Sequence, residues 1–346
     1  MMSKDEKKST VPNAYSDDEQ PEIYGIKKEK SGIVLNRRSF LSAIATAGAL
    51  AAYPPAIAEG KNKPAASPEK PGRSKAHEGK VAGLVLRDNP FFSWDSETLK
   101  AWDLARGDLK KSVTKARLQE GLKQAGDTFP ALFLHTWDDP VLAHGPDGTT
   151  LAVNGKDGVT LWKSANGKPE KVRTLENPPQ RVNALAFHPD GKRVAAGGGD
   201  GFVVVWDLDD GNMQRFEGDK SNLSSLAFHP NKPWLLSAHS DGKVRVWGLP
   251  DGKTEKTLNC HGKEIRHLEV TPDGALAITA SDDKTIKFWS LPNGKQKASL
   301  NVPLSETTSA MDLSPDGQVL ATGTPQGRIY LWRLPKGEMM GCLFDP

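Results

Sequence analysis

The sequence predicts an all-β fold made by repeating a unit of four short strands, and three observations predict it. Tryptophan recurs at Trp102, Trp162, Trp206, Trp247, Trp289 and Trp332, with spacings of 60, 44, 41, 42 and 43 residues. Each is followed five residues later by glycine, at Gly107, Gly167, Gly211, Gly252, Gly294 and Gly337. A second marker keeps the same step: Pro146-Asp147-Gly148, Pro189-Asp190-Gly191, the variant Pro230-Asn231-Lys232, Pro272-Asp273-Gly274 and Pro315-Asp316-Gly317. The 33 glycines and 25 prolines are spread over 346 residues without a collagen period, which favours many turns over long helices.

Residues 1–35 are polar and mixed in charge, with no apolar period, and are expected to be disordered. Asn36-Arg37-Arg38-Ser39-Phe40-Leu41 then leads into an apolar stretch of small residues that ends at Pro54-Pro55-Ala56-Ile57-Ala58. Charged, apolar and small-residue segments in that order make an export signal. The pair Arg37 and Arg38, followed by Phe40 and Leu41, resembles a bacterial twin-arginine signal, whose route carries folded proteins across the inner membrane. The apolar stretch is shorter than the roughly 20 residues of a spanning helix, so a cleaved signal is expected and no stable membrane insertion after cleavage. Ala56 and Ala58 place the cut after Ala58. Residues 59–76, rich in lysine and proline, read as an extended linker, and the folded part is expected from 77 to 346.

Within each period, short apolar or alternating runs such as Val182–Phe187, Arg193–Ala196 and Phe202–Trp206 are bounded by turn residues. Proline fixes φ in the first turn and Asp-Gly supplies the reversal. One period thus holds strand, Pro-Asp-Gly turn, strand, Asp-Gly turn, strand, glycine turn and a fourth strand. With Trp102-Asp103 and Trp206-Asp207 as literal dipeptides, residues 77–346 resemble the WD-repeat family of β-propellers. That resemblance implies four-stranded blades set radially, each burying a face it could not bury alone. Six blades are recognisable, and seven is the alternative count. The first repeat lacks the Pro-Asp-Gly hairpin, and the 60-residue gap to Trp162 leaves an insertion near 113–138, where Val113–Gln124 has helical composition. A ring closed by strand exchange with another chain is a further reading.

The family's stabilising device is a hydrogen-bonded chain of His, Ser or Thr, Asp and Trp in each blade. The resemblance places its Asp six residues before the Trp, matched by Asp200 with Trp206, Asp241 with Trp247, and Asp283 with Trp289. The fullest set is His261, Asp283, Trp289 and a hydroxyl from Thr279 or Ser281. Gln326 replaces the Asp in the last repeat, and Asp95 and Asp157 sit one residue out of place. Only the first and fifth repeats open on a histidine next to or near glycine, His77 and His261, and the other blades are expected to lean on apolar packing.

Chemistry finds little foothold in this sequence. There are 46 Lys and Arg against 43 Asp and Glu, a near-balance that argues against a nucleic-acid partner. The eight histidines keep no His-x-x-x-His spacing, and the equivalent His188 and His229 read as packing positions. No Gly-x-Ser-x-Gly elbow or phosphate loop occurs; Gly197-Gly198-Gly199-Asp200-Gly201 is followed by no helix and reads as a turn. Cys260 and Cys342 fall on outer strands two blades apart and are expected to be free thiols. No catalytic residue, metal or cofactor is expected. What remains is surface, where one face of the ring would offer Arg181, Asn222, His239, Lys263, Glu264, Asp282 and Lys284 to a protein or peptide partner. The expectation is an exported, periplasmic, non-catalytic interaction scaffold; the alternative is an exported enzyme or cofactor binder with a site in the central channel.

Overall fold

The computed structural model describes residues 75–343 apart from 87–90, 105–107, 115, 117–140, 148–149, 156–157, 166–167, 219 and 292. The signal motif of Arg37, Arg38, Phe40 and Leu41, the cleavage residues Ala56 and Ala58, and Asp157 lie outside the described residues, as does most of the insertion.

The described chain folds into six four-stranded antiparallel sheets, each from one continuous stretch of sequence. Blade 1 holds β1 (Gly83–Val85), β2 (Phe91–Trp94), β3 (Thr98–Trp102) and β4 (Leu109–Thr114). Blade 2 holds β5 (Leu142–His144), β6 (Thr150–Gly155), β7 (Gly158–Ala165) and β8 (Lys168–Leu175). Blade 3 holds β9 (Val182–Phe187), β10 (Arg193–Gly198), β11 (Val203–Asp207) and β12 (Met213–Phe216). Blade 4 holds β13 (Leu223–Phe228), β14 (Trp234–His239), β15 (Lys243–Gly248) and β16 (Thr254–Asn259). Blade 5 holds β17 (Ile265–Val270), β18 (Leu276–Ser281), β19 (Thr285–Ser290) and β20 (Lys295–Asn301). Blade 6 holds β21 (Ala310–Leu313), β22 (Val319–Gly323), β23 (Ile329–Arg333) and β24 (Glu338–Leu343). The first blade is complete, and Val113 and Thr114, expected in a helical insertion, end its outer strand.

First strands touch in the order β5, β9, β13, β17, β21, β1, which sets them around the axis. Alternation along the two middle strands of each blade turns one row of apolar side chains to each neighbouring blade. Apolar clusters fill the seams between blades 2 and 3, 3 and 4, 4 and 5, 5 and 6, and 6 and 1. By the same alternation, buried Phe92, Trp94, Leu99 and Ala101 of blade 1 and Leu151 and Val153 of blade 2 point to the sixth seam. In these clusters Trp102, Trp206, Trp247, Trp289 and Trp332 each face the preceding blade. Full burial of such a ring is among the largest single contributions to stability in the fold. Five of the six outer strands, all but β12, carry a one-residue bulge opposite the tryptophan and the residue before it.

Blade 6 meets blade 1 without sharing a strand. His77 N donates to Gly327 O at 2.9 Å, Val81 N to Thr324 O at 3.1 Å, and Ser309 Oγ to Val81 O at 2.7 Å. Ala76, fully buried in this seam, holds the place that Cys260 holds between blades 4 and 5: the Lys100 ammonium caps Ala76 O at 2.7 Å, and the Lys287 ammonium caps Cys260 O at 2.9 Å.

Candidate functional site

The connections between blades and the turns between second and third strands lie side by side on one face, here the upper face. Their backbones are joined directly: Gly199 N to Arg181 O at 2.9 Å, Ser240 N to Asn222 O at 2.9 Å, and Asp282 N to Glu264 O at 3.0 Å. The Pro-Asp-Gly turns and the glycine turns after the tryptophans form the lower face. There His188 and His229 are buried, and their Nδ1 atoms accept the N–H of Asp190 and of Asn231 and Lys232. Turn glycines pack on the turn of the preceding blade, Gly191 near Pro146 and Gly274 near His229.

Beneath the upper face, the polar chains run inward from loop to tryptophan. In blade 5, Trp289 Nε1 donates to Thr279 Oγ1 at 3.0 Å, Thr279 Oγ1 meets His261 Nε2 at 2.7 Å, and His261 Nδ1 meets Asp283 Oδ2 at 2.8 Å. Because the carboxylate can only accept, the consistent assignment has His261 donating from Nδ1 and Thr279 donating to Nε2. Thr285 Oγ1 adds a bond to Asp283 at 2.5 Å. Burial lowers the pKa of His261 against the pull of Asp283, so the ring stays neutral. Burial works to raise the pKa of Asp283, but the bonds from Thr285 and His261 hold it below the usual carboxylate range.

Blade 1, expected to open on His77 with Asp95 one residue out of place, carries the whole network. Trp102 Nε1 donates to Ser93 Oγ at 2.7 Å, Ser93 meets His77 Nε2 at 2.7 Å, and His77 Nδ1 lies 3.3 Å from Asp95 Oδ2. The turn from β2 to β3 is one residue shorter than in blade 5, with four residues between the paired Trp94 and Leu99 against five between Ala280 and Ile286, and it closes through Asp95 N to Thr98 O at 3.0 Å. In the shorter turn Asp95 still reaches its histidine, and its pKa stays well below the ordinary range despite burial.

Blade 4 is a second correction. His239, expected on the exposed rim, is fully buried: its Nε2 lies 2.7 Å from Ser237 Oγ, which accepts Trp247 Nε1 at 2.8 Å. This histidine comes from β14 itself, where strand alternation sends it to the same side as Ser237. Asp241 is thereby released to the Arg245 guanidinium at 2.8 Å. Burial works to raise the pKa of Asp241, and the bonds from Arg245 and Lys243 N bring it down. In blade 3, Ala196 stands where blades 1, 4, 5 and 6 carry a hydroxyl; Trp206 Nε1 turns to Glu176 O at 2.8 Å, and Asp200 accepts Phe202 N at 3.2 Å and Gln180 N at 3.4 Å. In blade 6, Trp332 Nε1 donates to Thr322 Oγ1 at 2.9 Å, and a buried Glu306–Arg328 ion pair stands in place of histidine and aspartate.

At the surface, Arg181, Asn222, Lys263 and Lys284 are exposed, while Glu264 and Asp282 are half-buried. Glu264 and Asp282 both hold Arg266, at 3.2 Å and 2.7 Å from its Nη2. The bond to Asp282 raises the already high pKa of Arg266. Among the described residues Arg181, Lys263 and Lys284 enter no ion pair, whereas the carboxylates of Asp241, Glu264, Asp282 and Asp283 are all engaged. Glu176 and Glu217, exposed in the connections that follow β8 and β12, enter no ion pair among the described residues either, so the unpaired charge of this face is mixed.

Sequence reasoning missed Asn183, Ser224 and Arg266, which are the extra residues of bulges at the same step of β9, β13 and β17. Asn183 Nδ2 donates to Asn222 Oδ1 at 2.8 Å and Leu223 O at 3.0 Å, and Ser224 Oγ donates to Ile265 O, so each stitches its blade to the next. Their signal was a polar residue directly after the first apolar residue of an inner strand.

Cys260 and Cys342 are free thiols, and burial pushes them up to about 12 and about 11. Among the described residues no three His, Cys, Asp or Glu side chains are grouped to hold a metal ion, and no helix is long and apolar enough to cross a membrane.

Four consecutive segments, 169–207, 211–248, 252–290 and 294–333, match the family model of the WD domain, G-beta repeat. Each segment begins with the outer strand of one blade and ends with the third strand of the next, so the matched unit is offset from the sheet by one strand. The chain is 36% identical over 84 residues to cilia- and flagella-associated protein 52 of Chlamydomonas reinhardtii, covering 24% of this chain and 13% of that protein. It is 36% identical over 74 residues to target of rapamycin complex subunit wat1 of Schizosaccharomyces pombe, covering 21% of this chain and 24% of that protein. It is 44% identical over 62 residues to U3 small nucleolar RNA-associated protein 18 homolog of Arabidopsis thaliana, covering 18% of this chain and 11% of that protein. The chain therefore spans less than a quarter of each of these relatives. Sheet topology, tryptophan period and segment matches agree that this protein is a six-bladed β-propeller carrying WD40 repeats.

Proposed function

We propose that this protein is exported from a bacterial cytoplasm by the twin-arginine route and works in the periplasm as a non-catalytic scaffold, its upper face binding a protein or peptide partner. The observation that carries the binding reading is the set of exposed cations Arg181, Lys263 and Lys284, which enter no ion pair among the described residues and stand together on one face of the ring. A rigid ring offers such groups at low ordering cost, which favours association. Propellers of WD40 repeats generally serve as scaffolds, and one relative is named as a complex subunit. The order of Arg37, Arg38, Phe40, Leu41, Ala56 and Ala58 supports export.

Two experiments test the two halves. The joint variant Arg181→Glu with Lys263→Glu should lose a specific protein that the unaltered chain retains from the envelope fraction. Equal retention by both chains, or none by either, refutes the scaffold. Replacing Arg37 and Arg38 by lysine should leave the precursor inside the cell, and N-terminal sequencing of exported material should begin at Glu59. Export undiminished by the replacement refutes the route.

A further inference from the structure

Five residues other than glycine hold left-handed backbone among the described residues: Asn177 (φ 50°), Lys220 (65°), Lys284 (70°), Leu304 (55°) and Ser305 (53°). All five lie in loops of the upper face. On the lower face the left-handed positions are glycines, Gly191, Gly211, Gly252, Gly274, Gly294, Gly317 and Gly337. Side chains with a Cβ resist this conformation, at a cost that the surrounding structure must offset.

Lys284 is the sharpest case. It stands five residues before its tryptophan, where blades 3, 4 and 6 carry Gly201, Gly242 and Gly327. Those glycines press on the loop that leads into the next blade. A Cβ would lie 2.8 Å from Lys220 Cα at Gly201, 2.1 Å from His261 O at Gly242 and 1.8 Å from His77 O at Gly327. Blade 5 carries a Cβ at this point, and the loop opposite is reshaped to admit it. Val302 N still donates to Lys284 O at 3.0 Å, as Cys260 N does to Gly242 O at 3.1 Å. The second bond, His261 N to Gly242 O at 2.9 Å, has no counterpart, because Pro303 has no N–H. The chain then turns through left-handed Leu304 and Ser305. Leu304 is 52% exposed and is the only large apolar side chain so exposed on the upper face among the described residues; Val172 and Met213 lie on outer strands. Lys284 and Ser305 are exposed as well.

A cation and an apolar side chain are thus presented together at a corner where lysine replaces the turn glycine of blades 3, 4 and 6. We propose that the corner between blades 5 and 6, formed by Lys284, Leu304 and Ser305, is a docking point for a segment of a partner protein in which a carboxylate adjoins an apolar side chain. Resting on the scaffold reading above, this assigns the partner's chemistry. A nucleic acid would call for a row of cations, and here a single lysine stands beside an exposed leucine.

The test uses the full chain, its Lys284→Gly and Leu304→Ser variants, and three labelled twelve-residue peptides. One contains Asp, Glu, Leu and Ser; the second has Lys in place of its acids; the third has Ser in place of its leucines. The first peptide should bind in a salt-sensitive way and the other two far more weakly. Lys284→Gly should weaken binding about fivefold while raising the melting temperature, since it restores the residue of the sister blades. Leu304→Ser should weaken binding similarly. No binding of the first peptide, equal binding of all three, unchanged affinity in Lys284→Gly, or a lowered melting temperature in that variant would each overturn the proposal. A photo-reactive residue placed at 284 and, separately, at 181 distinguishes its failure from that of the scaffold reading. Crosslinking to a protein from 181 alone rejects this corner and leaves the scaffold; crosslinking from neither rejects both. Crosslinking from 284 that the first peptide competes away supports the proposal.

Discussion

Thr279 and Thr322 occupy equivalent places ten residues before a tryptophan, both fully buried, and replacing each by valine separates two kinds of hydrogen bond. In blade 6 the hydroxyl serves one side-chain partner, Trp332 Nε1 at 2.9 Å. In blade 5 it serves two, Trp289 Nε1 at 3.0 Å and His261 Nε2 at 2.7 Å. Valine keeps the shape and leaves the partners buried and unpaired. Each such loss costs about 2 kcal/mol. Thr322→Val is therefore expected to cost about 2 kcal/mol and Thr279→Val about 4 kcal/mol. At the response of domains of this size, the melting temperature falls by about 5 °C in the first and about 10 °C in the second. Calorimetry on both variants, with urea titration followed by tryptophan fluorescence, measures the difference. Equal losses would mean that the bond to His261 contributes nothing and that the chain from loop to tryptophan does not act as a unit.

Acid should weaken the ring in two stages. Burial depresses the pKa values of His261, His229 and His267, the last down to about 4, so below the ordinary 6.5 the unfolded chain takes up protons before the folded one. The melting temperature should hold steady above pH 6.5 and fall from there toward pH 4, and His267→Asn should flatten that slope; a profile level to pH 5 would contradict it. Loss carried by Asp95, Asp241 and Asp283, whose values are also depressed, should come only at still lower pH. Gly327→Ala forces a Cβ to 1.8 Å from His77 O and strains φ at 83°, so it should cost more than about 3 kcal/mol, while Gly155→Ala, with nothing within 4 Å, should stay within about 0.5 kcal/mol. Similar melting temperatures for the pair would refute the tight closure assigned to the blade 6–blade 1 seam. With Cys260 and Cys342 pushed up to about 12 and about 11, a thiol reagent at pH 8 should label both slowly in the folded protein and rapidly in guanidinium; fast labelling of the folded protein would contradict their burial.

The blades were legible because their markers are local. A tryptophan with glycine five residues on and a Pro-Asp-Gly turn encode a strand boundary within a few residues, and repetition set their phase. The polar chains were only partly legible, because they depend on loop length and strand alternation. Asp95 looks displaced until its turn is seen to be one residue shorter, and His239 looks like a loop residue until β14 turns it inward. Arg266 carried no motif; only the bulge opposite Ser281 and Ala280 gives it its place. Lys284 was named as a surface residue, but its meaning lies in a backbone angle that side-chain identity does not encode.

Because every sheet is drawn from one uninterrupted stretch and the join between blades 6 and 1 borrows no strand, the unit of folding coincides with a unit of inheritance. Copying one period in frame, cut in any loop, adds a whole wedge and leaves its neighbours' ladders untouched. Ring size is then a matter of how many wedges close the circle, and a permuted gene opened at another blade boundary should yield the same ring.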